Sequence, residues 1–137
     1  MHFVWIPETK IMYLLDTNIL IYAFKGKEPF SSLFAKWARK NELCLSVIAV
    51  FEFLIGAEDL EIIKLESLIE NINLYDVNYE IAVQATEYRK DFLLKQKKVF
   101  LLDCMIAATA KVNNLTLVTV NKSDYPMKDI KVISPKL

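Results

Sequence analysis

Histidine, cysteine and glycine are scarce in this sequence of 137 residues, which contains one His, two Cys and two Gly. Because His2 is the only imidazole and no Cys-x-x-Cys pair occurs, the usual ligands of a zinc site are missing. The sequence also shows no Ser-His-Asp set, no glycine-rich phosphate loop and no dinucleotide-binding fingerprint. These absences argue against the commonest zinc, serine-hydrolase and nucleotide-binding sites.

An excess of charge of either sign is also missing, since 17 Lys and Arg residues balance 17 Asp and Glu residues. Domains that bind nucleic acids are often strongly basic, so the net charge gives no support to such a role. Any attraction for phosphate groups must therefore be local or must come through metal ions.

No apolar run is long enough to cross a membrane. The longest run, residues 43–57, contains Glu52 and falls short of the roughly 20 residues that a spanning helix needs. The N-terminus lacks a basic segment that leads into a long apolar one, so we expect no signal peptide. Cys44 and Cys104 lie inside apolar runs, as reduced core thiols do. We therefore expect a cytoplasmic protein without a membrane segment.

Hydrophobic residues are abundant instead and make up 54% of the chain. The length suits a single domain, which we assign to residues 12–137. Residues 1–11, which contain Pro7, differ in character from the rest of the chain and are an N-terminal extension of uncertain status. The apolar excess indicates an exposed apolar face and hence a homo-oligomer or a bound partner.

Strand-like and helix-like segments alternate along the chain. Strands are predicted over residues 12–15, 43–47, 72–77, 115–120 and 131–134. Helices are predicted over residues 17–24, 31–39, 48–57, 58–71, 78–95 and 101–112. This alternation predicts an α/β fold, a three-layer α/β/α sandwich with a mostly parallel sheet of about five strands.

Two of these helices carry specific expectations about burial. The helix over residues 48–57 is apolar almost all round, which predicts that it is buried. The helix over residues 58–71 is amphipathic, and we expect Leu60, Ile63 and Leu65 on its inward face.

The stretch from Met12 to Tyr22 provides the first candidate site residue. An apolar run of strand length stops at Asp16, and Thr17-Asn18 leads into a second apolar run. This pattern is typical of a buried strand followed by a helix that Thr17 or Asn18 caps. Ligands of parallel α/β sheets bind outside the carboxyl ends of the strands, where Asp16 is expected. An Asp that merely caps the next helix is the alternative.

Three further acids stand in unusual surroundings. Glu52 and Asp103 are each the only charge in an apolar helical run, and Asp124 follows the fourth strand. Burying an unpaired carboxylate is costly, so each must be paired, protonated or bound to a metal. The only arginines, Arg39 and Arg89, are on segments that are expected to face solvent. Two or more buried acids therefore lack an obvious basic partner.

Convergence of Asp16, Glu52, Asp103 and Asp124 would raise some of their pKa values through mutual repulsion. A divalent cation removes that problem, and oxygen ligands without histidine favour Mg²⁺ or Mn²⁺. Such ions polarise a phosphoryl oxygen and generate a hydroxide nucleophile near neutral pH, which is the chemistry of phosphodiester hydrolysis. Each acid taken alone has an alternative to metal binding. It could cap a helix, or it could be a buried carboxylate whose hydrogen bonds are all made within the core.

Segments 14–22, 50–57, 102–110 and 119–125 resemble, in this order, the motifs of the PIN domain family. More closely, the chain resembles the VapC toxin ribonucleases of toxin–antitoxin pairs. The resemblance implies cleavage of RNA that depends on Mg²⁺ or Mn²⁺. Carried over by position, it implies these metal-binding and catalytic residues: Asp16, Glu52, Asp103 and Asp124. The polar residues expected around them are Thr17, Asn18, Thr119 and Asn121.

The family is usually homodimeric and is usually silenced by a cognate antitoxin. An RNA substrate, an antitoxin and a second copy of the chain are therefore the implied partners. The chain also departs from the family pattern. Asn121 and Asp124 both match the position of the fourth acid, so the resemblance does not decide whether a second metal ion binds. Cys104 stands where a small residue such as Ala is commoner.

Two other functions compete with this interpretation. A receiver-like signalling domain would use Asp76 after the third strand, but the acidic pair expected after the first strand is absent. A non-catalytic PIN-like binding module would keep the site without turnover. Two side-chain roles are also open. The side chains of Lys95, Lys97 and Lys98 either contact RNA or form part of a solvated surface. Tyr125 either stacks on a base or packs in the core.

Overall fold

The computed structural model of the protein describes residues 10–136. The extension expected over residues 1–11 therefore lies almost entirely outside the described residues. Within the described chain, no helix is both long and apolar enough to span a membrane.

Five short strands and six α-helices follow one another in the described chain. The strands are β1 (Tyr13–Leu15), β2 (Leu43–Ser46), β3 (Asn73–Tyr75), β4 (Thr116–Val118) and β5 (Lys131–Ile133). The helices are α1 (Thr17–Phe24), α2 (Phe30–Arg39), α3 (Val47–Gly56), α4 (Asp59–Ile69), α5 (Tyr79–Leu94) and α6 (Leu101–Asn113). A 3₁₀ turn, Lys122–Asp124, lies between β4 and β5.

The strands form one sheet in the order β3-β2-β1-β4-β5, and every pairing is parallel. The predicted sheet is therefore confirmed. Because β1 lies in the centre, Asp16 follows the middle strand of the sheet. The segments that follow β2 and β4 begin at the same edge, on either side of Asp16.

Successive residues of β1 face opposite sides of the sheet and enter separate cores. Leu14 packs in the core that α5 and α6 cover, together with Cys44 and Leu117. Leu15 packs in the core under α1 to α4, together with Leu45 and Val118. Helices therefore cover both faces, as the three-layer prediction requires. Both cysteines are buried free thiols, as expected.

The predicted burial of α3 on all sides is wrong, and so is that of Leu60 and Ile63 in α4, whereas Leu65 is buried as expected. Phe51 and Ile55 of α3 are 56% and 73% exposed, and Leu60 and Ile63 of α4 are 72% and 61% exposed. A helix that lies on a sheet turns only one stripe inward, whatever its composition. In α3 that buried stripe consists of Ala49 and Phe53, which are spaced by one helical turn.

Candidate active site

Asp16 sits at the junction of β1 and α1 and is 5% exposed. Its Oδ1 accepts a hydrogen bond from the backbone amide of Ile19 at 3.0 Å, so Asp16 itself caps α1. The prediction that Thr17 or Asn18 caps this helix is wrong. The hydroxyl of Thr119 donates a short hydrogen bond to Oδ2 of Asp16. Two donors on different segments thus fix the carboxylate.

Glu52 is half-buried in the middle of α3. Helix α3 follows β2 directly, and the hydroxyl of Ser46 caps it by accepting from the amide of Ile48 at 3.1 Å. The hydroxyl of Thr17 donates to Oε1 of Glu52 at 2.8 Å. This bond joins the start of α1 to α3 and places Glu52 beside the segment that carries Asp16.

Asp103 is half-buried in the first turn of α6. The hydroxyl of Tyr125 lies 3.4 Å from its Oδ1 and donates to it. Tyr125 is only 5% exposed, which favours core packing over stacking on a base for its ring. Helices α3 and α6 contact each other, so Asp103 and Glu52 approach from neighbouring helices.

Asp124 is exposed at the end of the 3₁₀ turn that follows β4. The side-chain amide of Asn121 donates to Oδ1 of Asp124 at 3.5 Å, while its oxygen accepts from the backbone amide of Ser123 at 3.1 Å. Asn121 therefore caps the turn and orients Asp124. Asn18 is exposed in the first turn of α1, where its backbone amide supports the Asp16 carboxylate.

The negative charges of neighbouring acids act on Asp103 and Asp16. Burial, together with the negative charges of Asp124, Glu52 and Asp16, raises the pKa of Asp103 to about 6. Burial also raises the pKa of Asp16, and the charge of Asp124 adds to this increase. Thr17, which follows Asp16, donates to Glu52, and Tyr125, which follows Asp124, donates to Asp103, so these hydrogen bonds link acids from distant parts of the sequence.

The buried phenol of Tyr125 responds to the same charges. Burial, followed by the negative charges of Asp16 and Asp103, raises its pKa above the usual range. Tyr125 therefore remains a neutral hydrogen-bond donor within the acidic group at neutral pH.

Basic side chains do not neutralise this group. The guanidinium of Arg89 donates to the carbonyl of Val99 at 2.6 Å, and Arg39 is exposed at the end of α2. Across residues 10–136, no ion pair involves any of the four acids. The acids therefore repel one another without compensation from a cationic side chain.

The donor set has the chemistry that a hard divalent cation prefers. The hydrogen bonds of the candidate site join carboxylates to the hydroxyls of Thr17 and Thr119, and all of these groups are oxygen ligands. In the part of the chain that the structure describes, no three Asp, Glu, His or Cys side chains are arranged to hold one metal ion. Binding of an ion therefore requires rotation of one or more side chains, of which Glu52 and Asp124 are less buried than Asp16.

The sequence profile of the PIN domain family matches residues 13–130, which extend from β1 to the residue before β5. This chain belongs to the PIN domain family. The resemblance inferred from the four motifs is confirmed. The receiver-like alternative, which depended on Asp76, is set aside.

This PIN domain is 26% identical over 120 residues to the tRNA(fMet)-specific endonuclease VapC of Shigella flexneri, covering 84% of this chain and 90% of that protein. Its fold matches that of a chain in the crystal structure of VapBC2 from Rickettsia felis bound to a promoter DNA fragment. The TM-score is 0.80 at 22% identity, and the match covers 92% of this chain and 100% of that chain. A toxin–antitoxin complex from Klebsiella pneumoniae matches with a TM-score of 0.74 at 25% identity, covering 90% and 98% of the two chains.

Sequence reasoning missed one contact within the acidic group, the hydrogen bond from Tyr125 to Asp103. The available signal was a tyrosine directly after Asp124, in a polar turn that follows a buried strand. The sequence could not reveal its partner, because Asp103 lies 22 positions away.

Proposed function

We propose that this PIN domain is a metal-dependent endoribonuclease and the toxin of a toxin–antitoxin pair. The observation that carries the proposal is the set of hydrogen bonds around the acids: Thr119 donates to Asp16, Thr17 donates to Glu52, and Tyr125, which follows Asp124, donates to Asp103. The name of the Shigella flexneri relative, an endonuclease, and that of the Klebsiella pneumoniae complex support the same activity and partner.

The proposed metal is Mg²⁺ or Mn²⁺, which Asp16, Glu52 and Asp103 would hold. Asp124 would bind a water molecule or a second ion. When bound, such an ion polarises a phosphoryl oxygen and activates water. The protein's own contribution is to fix the carboxylates: Thr119 holds Asp16, and Thr17 holds Glu52.

The proposed substrate is RNA, which basic side chains near the acids would attract through its phosphates. Lys25 lines a cleft of about 220 Å³ together with Glu52 and Gly56, and Lys122 is exposed in the turn that carries Asp124. Within residues 10–136, neither lysine forms an ion pair, so both are available to the phosphates of RNA. Electrostatic guidance of this kind weakens with added salt.

The proposed partners are a cognate antitoxin and a second copy of the chain. Large apolar side chains are exposed on α3 to α6, beyond what an isolated small domain needs to expose. The most exposed of them are Ile55, Leu60, Ile63, Tyr79, Leu93, Leu94, Phe100 and Leu101. Light scattering after size exclusion should give twice the chain mass of 15.9 kDa. We assign the activity to the cytoplasm, which the free thiols Cys44 and Cys104 support.

Cleavage of a labelled RNA with Mg²⁺, with Mn²⁺ and with EDTA tests the enzymatic proposal. Asp16→Asn should abolish cleavage and keep the fold, because asparagine caps a helix as well as aspartate does. The matched control is Asp59→Asn, a substitution of an exposed aspartate in the first turn of α4. This control should cleave as the parent does.

Equal cleavage by Asp16→Asn and the parent, or cleavage that EDTA leaves unchanged, would contradict the proposal. RNA binding without cleavage in every metal would indicate the non-catalytic binding module instead.

A further inference from the structure

We propose that Tyr125 is a positioning residue that orients the Asp103 carboxylate for metal binding. This inference rests on the proposed function. It adds a residue that the four motifs do not assign to the metal site.

The position of the Tyr125 hydroxyl is set by rigid surroundings. Its ring is 5% exposed and packs in the core that α5 and α6 cover. Its backbone amide donates to the carbonyl of Lys122 at 3.0 Å, which closes the turn after β4. Because the ring and the backbone of Tyr125 are both held in place, its hydroxyl can orient the carboxylate that it contacts.

Each acid of the expected metal-binding core has one such hydroxyl. Thr119 donates to Asp16, Thr17 donates to Glu52, and Tyr125 donates to Asp103. In all three cases the donor lies on a segment other than that of the acid. Each hydroxyl contacts one oxygen of its carboxylate. Within residues 10–136, this arrangement leaves the second carboxylate oxygen of Glu52 and of Asp103 for another ligand, whereas both oxygens of Asp16 accept a hydrogen bond.

Asp103 depends on its donor more than Asp16 does. Within residues 10–136, Tyr125 is the only side chain that donates a hydrogen bond to the Asp103 carboxylate. The backbone amide of Ile19 supports Asp16 in addition to Thr119. Without the Tyr125 hydroxyl, repulsion from the neighbouring acids would turn Asp103 away from the position that a shared cation needs.

The chain offers a matched control in Tyr88. This residue is 8% exposed, packs in the same core, and donates to Oδ1 of Asp129 at 2.7 Å. Tyr88→Phe and Tyr125→Phe therefore remove the same group from similar surroundings, but only the second touches a proposed metal ligand.

Titration of each purified variant with Mn²⁺, followed by electron paramagnetic resonance of the free ion, tests the inference without RNA. Tyr125→Phe should weaken Mn²⁺ binding about tenfold, since loss of a group that orients a metal ligand typically costs about 10–100-fold in affinity. Tyr88→Phe should bind Mn²⁺ as the parent does. RNA cleavage by Tyr125→Phe should be reduced at low Mn²⁺ and should recover as Mn²⁺ is raised.

If Tyr125→Phe bound Mn²⁺ as tightly as the parent does, the inference would be overturned and the proposed function would stand. An equal loss of Mn²⁺ affinity in Tyr88→Phe would have the same consequence. A parent that neither binds Mn²⁺ nor cleaves RNA would contradict the proposed function, and this inference with it.

Discussion

The hydroxyl of Thr119 donates a hydrogen bond to Asp16, which precedes it by 103 positions in the sequence. Thr119 is fully buried and Asp16 is 5% exposed. The contact follows from the parallel pairing of β1 with β4, because residues that directly follow two neighbouring parallel strands stand side by side. The sheet therefore supplies one of the two donors that orient this carboxylate, and the local amide of Ile19 supplies the other.

Thr119→Val should lower RNA cleavage about tenfold, because Asp16 loses the donor that fixes its orientation. It should also lower the free energy of unfolding by about 1–2 kcal/mol, since a buried acceptor loses its partner. Initial cleavage rates and urea unfolding measure the two effects. The matched control is Thr109→Val, which removes a fully buried hydroxyl that donates to the carbonyl of Met105 at 2.8 Å.

Thr109→Val should lose stability but keep the parental cleavage rate. Equal cleavage by the two variants would show that Thr119 has a structural role alone.

The stability of the metal-free protein should fall as the pH rises from about 4 to above 6. The folded protein keeps the proton on Asp103 up to a pKa of about 6, whereas the ordinary pKa of an aspartate, which applies to the unfolded chain, is 3.8. The folded state binds more protons between these values, so protonation stabilises it and ionisation of Asp103 destabilises it. Urea unfolding in EDTA at several pH values measures the effect.

Asp103→Asn isolates the contribution of this group. The parent should lose up to about 3 kcal/mol more than Asp103→Asn over this pH range, since one pKa unit corresponds to about 1.4 kcal/mol. Parallel pH curves for the two proteins would mean that Asp103 ionises normally.

Mg²⁺ or Mn²⁺ should raise the thermal unfolding midpoint at neutral pH, because a cation relieves the repulsion among Asp16, Glu52, Asp103 and Asp124. A ligand that binds only the folded state adds about 2.7 kcal/mol at a hundredfold excess over its dissociation constant. Differential scanning calorimetry at constant ionic strength measures the shift, and excess EDTA should reverse it. A shift of the same size in Asp16→Asn would mean that the ion binds elsewhere.

Gly26 and Gly56 should respond to alanine in opposite directions. Gly26 follows α1 with φ +74°, a left-handed conformation in which a side chain is strained, so Gly26→Ala should cost about 1 kcal/mol of stability. Gly56 ends α3, and a Cβ built there meets no atom within 4 Å, so Gly56→Ala should gain about 0.5–1 kcal/mol. Urea unfolding of the two variants measures both effects. Destabilisation by Gly56→Ala would mean that another group occupies this space.

The strand and helix pattern is accessible from the sequence because each element carries its own signal. The apolar run that ends at Asp16 predicts β1, and the alternation of strands with helices predicts a parallel sheet with both faces covered. Predictions of burial fail where the burial of a side chain depends on which other segment packs against its helix. Apolar composition could not tell that Phe51 and Ile55 lie on the outer side of α3.

The sequence by itself determined which acids were chemically unusual, since Glu52 and Asp103 interrupt apolar runs and Asp16 ends one. Only the tertiary structure decided how these carboxylates are held, by Thr17, Tyr125 and Thr119. The physical reason is distance along the chain. Apolar periodicity can be recognised within a few neighbouring residues. A hydrogen bond between side chains many positions apart exists only after the sheet has brought their strands together.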